Sequence, residues 1–384
     1  MQHWYAHFNP IIIHPLITIT ISLMLGIWFA TLHSNYLMIM VVLGACSAYH
    51  AFTRDTLKQA TFSIFCLCAS FGIGAGLAQW QRTEHARMAA LLSGKTLDAI
   101  ATIISVQESD KKQYPYTIHL NIQKIKKCER NAPWQEHNAV IAAYCHSMPY
   151  IAPDDLVYLE ECKFSNHDPT TSFNDYLIKS GINNTLFTHH LKYTLLQRPT
   201  YSWNRWVNAL RHNLFERACA KMTEPNAAFY SSLFLGNCQT HKQYLKGMKT
   251  QFGIWGLSHF LARSGLHLVL FIYLWHLLLS YIPLRSRYKY LFMLLLNTVY
   301  LLLSWTSLSF MRSFSSLCLY YAAHIWQQQP STLHIITLIT CGCLVLNPMQ
   351  LFFLDFQLSF GLTFALAWIY QAYSWHRIRI AANS

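Results

Sequence analysis

Apolar residues fall in long runs at both ends of the chain, with a mixed stretch between them. A membrane-crossing helix needs roughly 20 mostly apolar residues. Residues 16–32, 36–52 and 60–80 fit that pattern before the mixed stretch, and 252–282, 290–304, 307–326, 332–346 and 351–375 fit it afterwards. The first two runs are short and are expected to pair antiparallel through a turn at 33–35. Within the mixed stretch, 97–106, 116–125, 139–145 and 156–162 are β-branched or aromatic-rich, separated by Ser, Asp, Asn and Pro clusters, which reads as short strands. A small five-stranded OB-type barrel leads, with a generic sandwich as the alternative. Residues 203–221 place Trp203, Trp206, Val207, Leu210 and Leu214 at helical spacing opposite Arg205, Arg211, His212 and Glu216. That helix suits a membrane interface, or packing against the barrel. The pattern thus predicts a polytopic α-helical membrane protein with an inserted extracytoplasmic β-barrel (OB-like) domain. Its parts are three spans over 1–80, the OB-like domain over 81–200, amphipathic helices over 201–251, and about five further spans over 252–384.

Composition agrees. The 384 residues are 53% hydrophobic and only 12% charged, apolar for a water-soluble chain of this size. Mean hydropathy is just +0.21, so the apolar residues are concentrated. About 20 of the 29 Lys+Arg and 14 of the 16 Asp+Glu lie between Gln81 and Phe252, which marks the water-facing part. The net charge of +13 is compatible with nucleic acid, anionic lipid or the positive-inside bias of membrane proteins. Arg54, Lys58, Arg285, Arg287, Lys289, Arg377 and Arg379 flank the apolar runs. The bias therefore puts both termini in the cytoplasm and 81–251 outside the inner membrane. The first run lacks the basic flank and small-residue cleavage site of a signal peptide. Of eleven cysteines, Cys128, Cys145 and Cys162 lie in the water-facing stretch with Cys219 and Cys238. One bridge among the first three is compatible with an oxidising compartment, its pairing open.

Arg263, Arg312 and Asp355 fall within apolar runs, where ionisable groups are costly and pair or line an aqueous path. Two bases against one acid suit an anionic substrate; alternatively, Asp355 clamps Arg312 or Arg263. Ser264-Gly265 and Phe356-Gln357-Leu358-Ser359-Phe360-Gly361 interrupt two of the longest runs and are expected to break the helix beside a pathway. His259 and His267, two turns apart, read as hydrogen-bonding histidines rather than a metal pair. No metal or other cofactor is expected. Lys111, Lys112, Lys124, Lys126 and Lys127, with Tyr114, are either a nucleic-acid groove or a solvated strand end.

Several segments resemble one family. The segment Ser258-His-Phe-Leu-Ala-Arg-Ser-Gly-Leu-His-Leu-Val-Leu270 is similar to the H-L-L-A-I-S-G-L-H-V signature of the ComEC DNA-uptake channel family. Leu233-Phe-Leu-Gly236, Ser309-Phe-Met-Arg-Ser313 and Phe356-Gln-Leu-Ser-Phe360 resemble further family segments in the same order, and 172–182 resembles the end of its OB-like domain. Arg263 and Asp355 depart from the family pattern. The resemblance implies an inner-membrane channel component importing single-stranded DNA in natural transformation. It implies that His259, Ser264, Gly265, His267, Arg312, Gln357 and Ser359 shape or line the path. Single-stranded DNA, the lipid bilayer and other competence proteins are the implied partners. No H-x-H-x-D-H ligand set of the family's metallo-β-lactamase-like domain is present. A separate chain supplying that domain and further spans is therefore expected, or else a truncated relic. A membrane-anchored OB module that binds nucleic acid is the other reading. Without a Gly-rich phosphate loop or a nucleophile elbow, the chain is not expected to be an enzyme.

Overall fold

A computed structural model describes residues 15–32, 57–108, 113–128, 132–147, 150–167, 171–235, 242–256, 265–304, 308–328 and 331–383. In chain order the elements are α1 (Pro15–Leu32), α2 (Leu57–Leu92), β1 (Thr96–Glu108), β2 (Tyr116–Lys127), β3 (Gln135–Cys145), β4 (Leu156–Lys163), α3 (Ser172–Ser180), β5 (Asn184–Thr188), β6 (Tyr193–Gln197), α4 (Trp203–Cys219), α5 (Glu224–Tyr230), α6 (Lys242–Ile254), α7 (Gly265–Ser280), α8 (Ser286–Leu303), α9 (Leu308–Ile325), α10 (Thr332–Leu346) and α11 (Leu354–Asn383). A π-helical turn (Ser231–Leu235) follows α5, and a 3-10 turn (Pro348–Phe352) precedes α11. The chain divides into two compact units. One comprises Met1–Gln81, Ser264–Thr298 and Thr306–Ser384; the other comprises Arg82–Arg263 and Val299–Trp305.

Two expectations are corrected. No helix among the described residues is long and apolar enough to cross a membrane, which overturns the polytopic bundle and the orientation built on it. Helices do form on the apolar runs, but most stop early. α1, α8 and α9 have 18 residues, α7 has 16 and α10 has 15. At 1.5 Å per residue these reach about 22 to 27 Å, against a hydrocarbon core of roughly 30 Å. The longer α2 turns polar in its second half, with Gln79, Arg82 and Glu84, and α11 carries Asp355, Gln357 and Gln371. The OB-like barrel is also corrected. The sheet is six-stranded, mixed and open, in the order β5-β3-β2-β1-β4-β6. Only the β3–β5 pair is parallel. A lone bridge from Phe164, just past β4, to Leu186 in β5 falls short of a closing ladder.

Alternation builds this sheet's core. Leu97, Ala99, Ala101 and Ile103 of β1 point inward with Ile118, Leu120 and Ile122 of β2, each at most 6% exposed. The inward parity of β2 then shifts by one, because Gln123 is skipped between Ile122 and Lys124 in its pairing with β1. Such a bulge restores the apolar face to Ile125, which is buried. On the other face α3 packs Leu177 and the following Ile182 against Ala142 and Tyr144 of β3. Thr171 caps α3, its side chain accepting from the Asn174 N–H, and Gly181 ends the helix at φ 69°. There its own N–H reaches Ile178 O while the Ile182 N–H reaches Leu177 O. That left-handed turn suits glycine.

In the helical unit, α1 and α2 meet at backbone distance. A Cβ on Gly26 would lie 2.2 Å from Phe71 O, and one on Gly74 2.3 Å from Leu23 O. Ser22 Oγ donates to Leu67 O at 2.7 Å across the same crossing.

Candidate functional site

Several polar groups of the helical unit meet between α9 and α11. Ser359 Oγ lies 3.5 Å from Ser309 Oγ. One turn further along both helices, Arg312 donates from Nη1 to Thr363 Oγ1, and Thr363 in turn donates to Ser359 O at 2.6 Å. The pairings ascend together, so the two helices run parallel along this seam. Phe310, Phe356 and Phe360 are buried around it, at 0%, 2% and 4% exposure. The Arg312 guanidinium carbon stands 5.6 Å from the Phe360 ring centroid. Arginine's five N–H donors all seek acceptors when removed from water, yet the Arg312 Nε is buried without a partner. The seam therefore holds an unsatisfied donor on a cation, chemistry that receives an anion or a carbonyl.

Two segments separated by more than forty residues in sequence, Ser309-Phe-Met-Arg-Ser313 and Phe356-Gln-Leu-Ser-Phe360, thus meet in space. Other predicted residues are placed differently. Gln357 faces outward, and its Nε2 donates to Leu351 O at 2.9 Å, tying the first turn of α11 to the preceding 3-10 turn. Asp355 is exposed and makes no ion pair with Arg312. It sits two turns before Thr363, about 12 Å along the axis, so the expected Asp355–Arg312 clamp is corrected. The expected break within 356–361 is also absent, since α11 is continuous through it. Gly265 opens α7, and His267 lies in its first turn, half-buried. His259, Arg263 and Ser264 lie outside the described residues, as do Lys111 and Lys112. Thr363 went unnoticed in sequence; its signal was the i,i+4 step from Ser359.

The sheet unit separates the remaining candidates. Tyr114 precedes β2, whereas Lys124, Lys126 and Lys127 close it, some ten residues or about 33 Å along a strand. Tyr114 joins an aromatic cluster, 5.5 Å from the Phe187 ring, which stacks on Tyr144 at 4.9 Å. Lys126 lies 5.4 Å from the Trp134 ring centroid, and Trp134 meets Tyr158 edge-on. Tyr158 donates to Asp98 Oδ2 at 3.0 Å. Lys124 and Lys127 are exposed. Among the described members of the predicted set, Tyr114 and the three lysines thus lie at opposite ends of β2. Cys128, Cys145 and Cys162 are all free thiols, which corrects the expected bridge.

Asp155, at the start of β4, was missed. Its side chain is 0% exposed and accepts from Arg198 Nη2 at 3.1 Å and Arg205 Nη2 at 2.5 Å, and from the Ala152 N–H at 2.9 Å. Burial pushes its pKa up, but the Arg198 hydrogen bond and the remaining partners outweigh that and hold it below the usual carboxylate range. In α4, buried Val207 and Phe215 flank Arg211, which donates to Leu302 O at 2.9 Å. Trp203 and Trp206 on the predicted tryptophan face are half exposed.

A groove of about 500 Å³ opens between Arg87, Met88 and Leu91 of α2 and residues 123–124 and 136–138 of the β2–β3 pair. Among the described residues, no group of three or more His, Cys, Asp or Glu could hold a metal ion.

Residues 239–382 match the family model described as Competence protein. No curated protein and no solved structure matches the chain. The matched segment contains the whole α9–α11 seam. Proteins of this family are typically membrane-associated and serve DNA uptake. Inside that match the segments around Arg312 and Ser359 meet in space, and over these residues the chain is similar to the Competence protein family.

Proposed function

We propose that the chain is a component of the channel that imports single-stranded DNA at the inner membrane during natural transformation, and that the α9–α11 seam contacts the strand. The observation that carries this reading is the buried, unpartnered Nε of Arg312 within the matched family segment. A guanidinium fork suits phosphate oxygens better than an ammonium does, and Ser309, Ser359 and Thr363 hold its neighbourhood polar. Gly265, His267, Gln357 and Asp355 are proposed as further functional residues of the helical unit; the roles proposed for His259, Arg263 and Ser264 fall on residues outside those described. DNA and other competence proteins are the proposed partners.

The test replaces Arg312 with Ala and with Lys, and Gln357 with Ala, in transformable cells. Protein abundance is measured by immunoblot alongside transformation frequency. Arg312→Ala is expected to lower transformation at least about tenfold, the loss of one charged hydrogen bond, at unchanged abundance. Arg312→Lys is expected to recover only part of it. Wild-type transformation in Arg312→Ala refutes the proposal.

A further inference from the structure

The groove beside α2 lies where two strands lose register. Ile122 pairs with Ala139 and Lys124 with Glu136, so Gln123 opposes both His137 and Asn138. The pairing of β2 with β1 skips Gln123 as well. Bulges of this kind interrupt the ladder and re-aim side chains, and they are enriched beside functional sites. His137, 7% exposed, lines the groove, and its Nε2 is buried without a hydrogen-bond partner. An unpaired buried ring nitrogen is costly. Arg87 stands on the helix wall and Lys124 on the strand wall. Arg87 lies 3.6 Å from Glu84 on its own helix, but both are solvent-exposed, and such a pair holds little energy.

We propose that this groove binds a phosphate monoester of nucleotide size, with Arg87 and Lys124 gripping the phosphate from opposite walls and His137 Nε2 hydrogen-bonding within the pocket. Two cations balance the charge of −1.5 to −2 that a monoester carries near neutral pH. The volume falls in the usual range for small-ligand pockets. Glu136 borders the groove next to Lys124. A continuous polyanion would pass this carboxylate, whereas one terminal phosphate avoids it. The site lies in the sheet unit, in residues distinct from the α9–α11 seam, and stands or falls independently of it.

The experiment titrates the purified full-length chain at low salt with deoxyadenosine 5′-monophosphate and, separately, with deoxyadenosine, by calorimetry. The monophosphate is expected to bind with Kd at or below about 1 mM, the nucleoside not at all, and inorganic phosphate is expected to compete. Arg87→Gln and Lys124→Gln are each expected to weaken binding about tenfold, the value of one charge-assisted contact. His137→Phe, which keeps the burial and removes the nitrogen, is expected to weaken it too. Lys163→Gln, on an exposed lysine away from the groove, is expected to bind like wild type. Arg87 and Lys124 are exposed, so their variants keep the fold, and an unchanged unfolding midpoint verifies it. Three results overturn the proposal: no binding of the monophosphate, equal binding of the nucleoside, or wild-type affinity in both Arg87→Gln and Lys124→Gln.

Discussion

Single residues bear unequal weight in the sheet unit. Asp155 is a buried charge whose partners are partly exposed, at 52% for Arg198 and 29% for Arg205. Removing one partner of a buried pair costs about 3 to 5 kcal/mol because the other charge is left uncompensated. Here the arginines can turn to water, so Asp155→Ala is expected near the lower end, about 3 kcal/mol, measured by urea unfolding. The stability its depressed pKa provides is present above the unfolded value of about 3.9 and is lost as pH falls through the lower folded value. Histidines act in the opposite pH range. Burial holds His85 below its ordinary value, partly offset by its hydrogen bond to Ile182 O, and burial alone does the same for His137. Below about pH 6.5 the unfolded chain binds protons that the folded chain refuses, so stability rises with pH in that window. Each such group contributes a slope of up to about 1.4 kcal/mol per pH unit. Stability curves between pH 7.5 and 5 are expected to be flatter for His85→Gln than for wild type. That Arg312 and Ser359 belong to segments of interest was legible from motif resemblance, but Asp155 and His137 were not. An acid in a Pro-Asp-Asp turn looks like an ordinary surface turn, and nothing in sequence announces that two arginines 43 and 50 residues later return to it.

At the scale of elements, alternation of glycine environments makes a sharp test. In α2, Gly72 and Gly76 face open space, while Gly74 touches the backbone of α1. Gly76→Ala is expected to stabilise by up to about 1 kcal/mol through helix propensity. Gly74→Ala is expected to destabilise by about 1 to 3 kcal/mol through overpacking. Thermal unfolding of the two variants should therefore shift in opposite directions. Elements with a strong period were readable: the predicted strands at 97–106, 116–125, 139–145 and 156–162 lie inside or nearly coincide with β1 to β4. β5 and β6 escaped notice because five residues each give too few alternations to register. The interruption predicted around Ser359 failed for a different reason. Ser359 sits on the turn facing α9, and Ser309 meets its hydroxyl, so the helix has no need to open.

For the whole molecule, apolar run length proved a poor guide to architecture. Composition registered how much of the chain is apolar, but not that most helices would stop after 15 to 18 residues. Nor did four strand patterns decide between closure and an open sheet, since closure depends on register and on a long-range pairing that here amounts to one bridge. The sheet core is drawn entirely from residues between Leu92 and Leu186. A fragment covering 82–200 is therefore expected to fold alone, with one cooperative thermal transition followed by circular dichroism; a fragment without a transition would refute this. The rim of the same sheet sets a limit of another kind. β6 pairs with β4 on one side, no described strand pairs with its other side, and Leu195 and Leu196 are 40% and 50% exposed. A free apolar edge accepts any extended chain it meets, another copy of itself included. Encounters between copies rise with the square of their concentration, so pairing through this edge is expected to be absent in dilute solution and to grow steeply as the protein is concentrated.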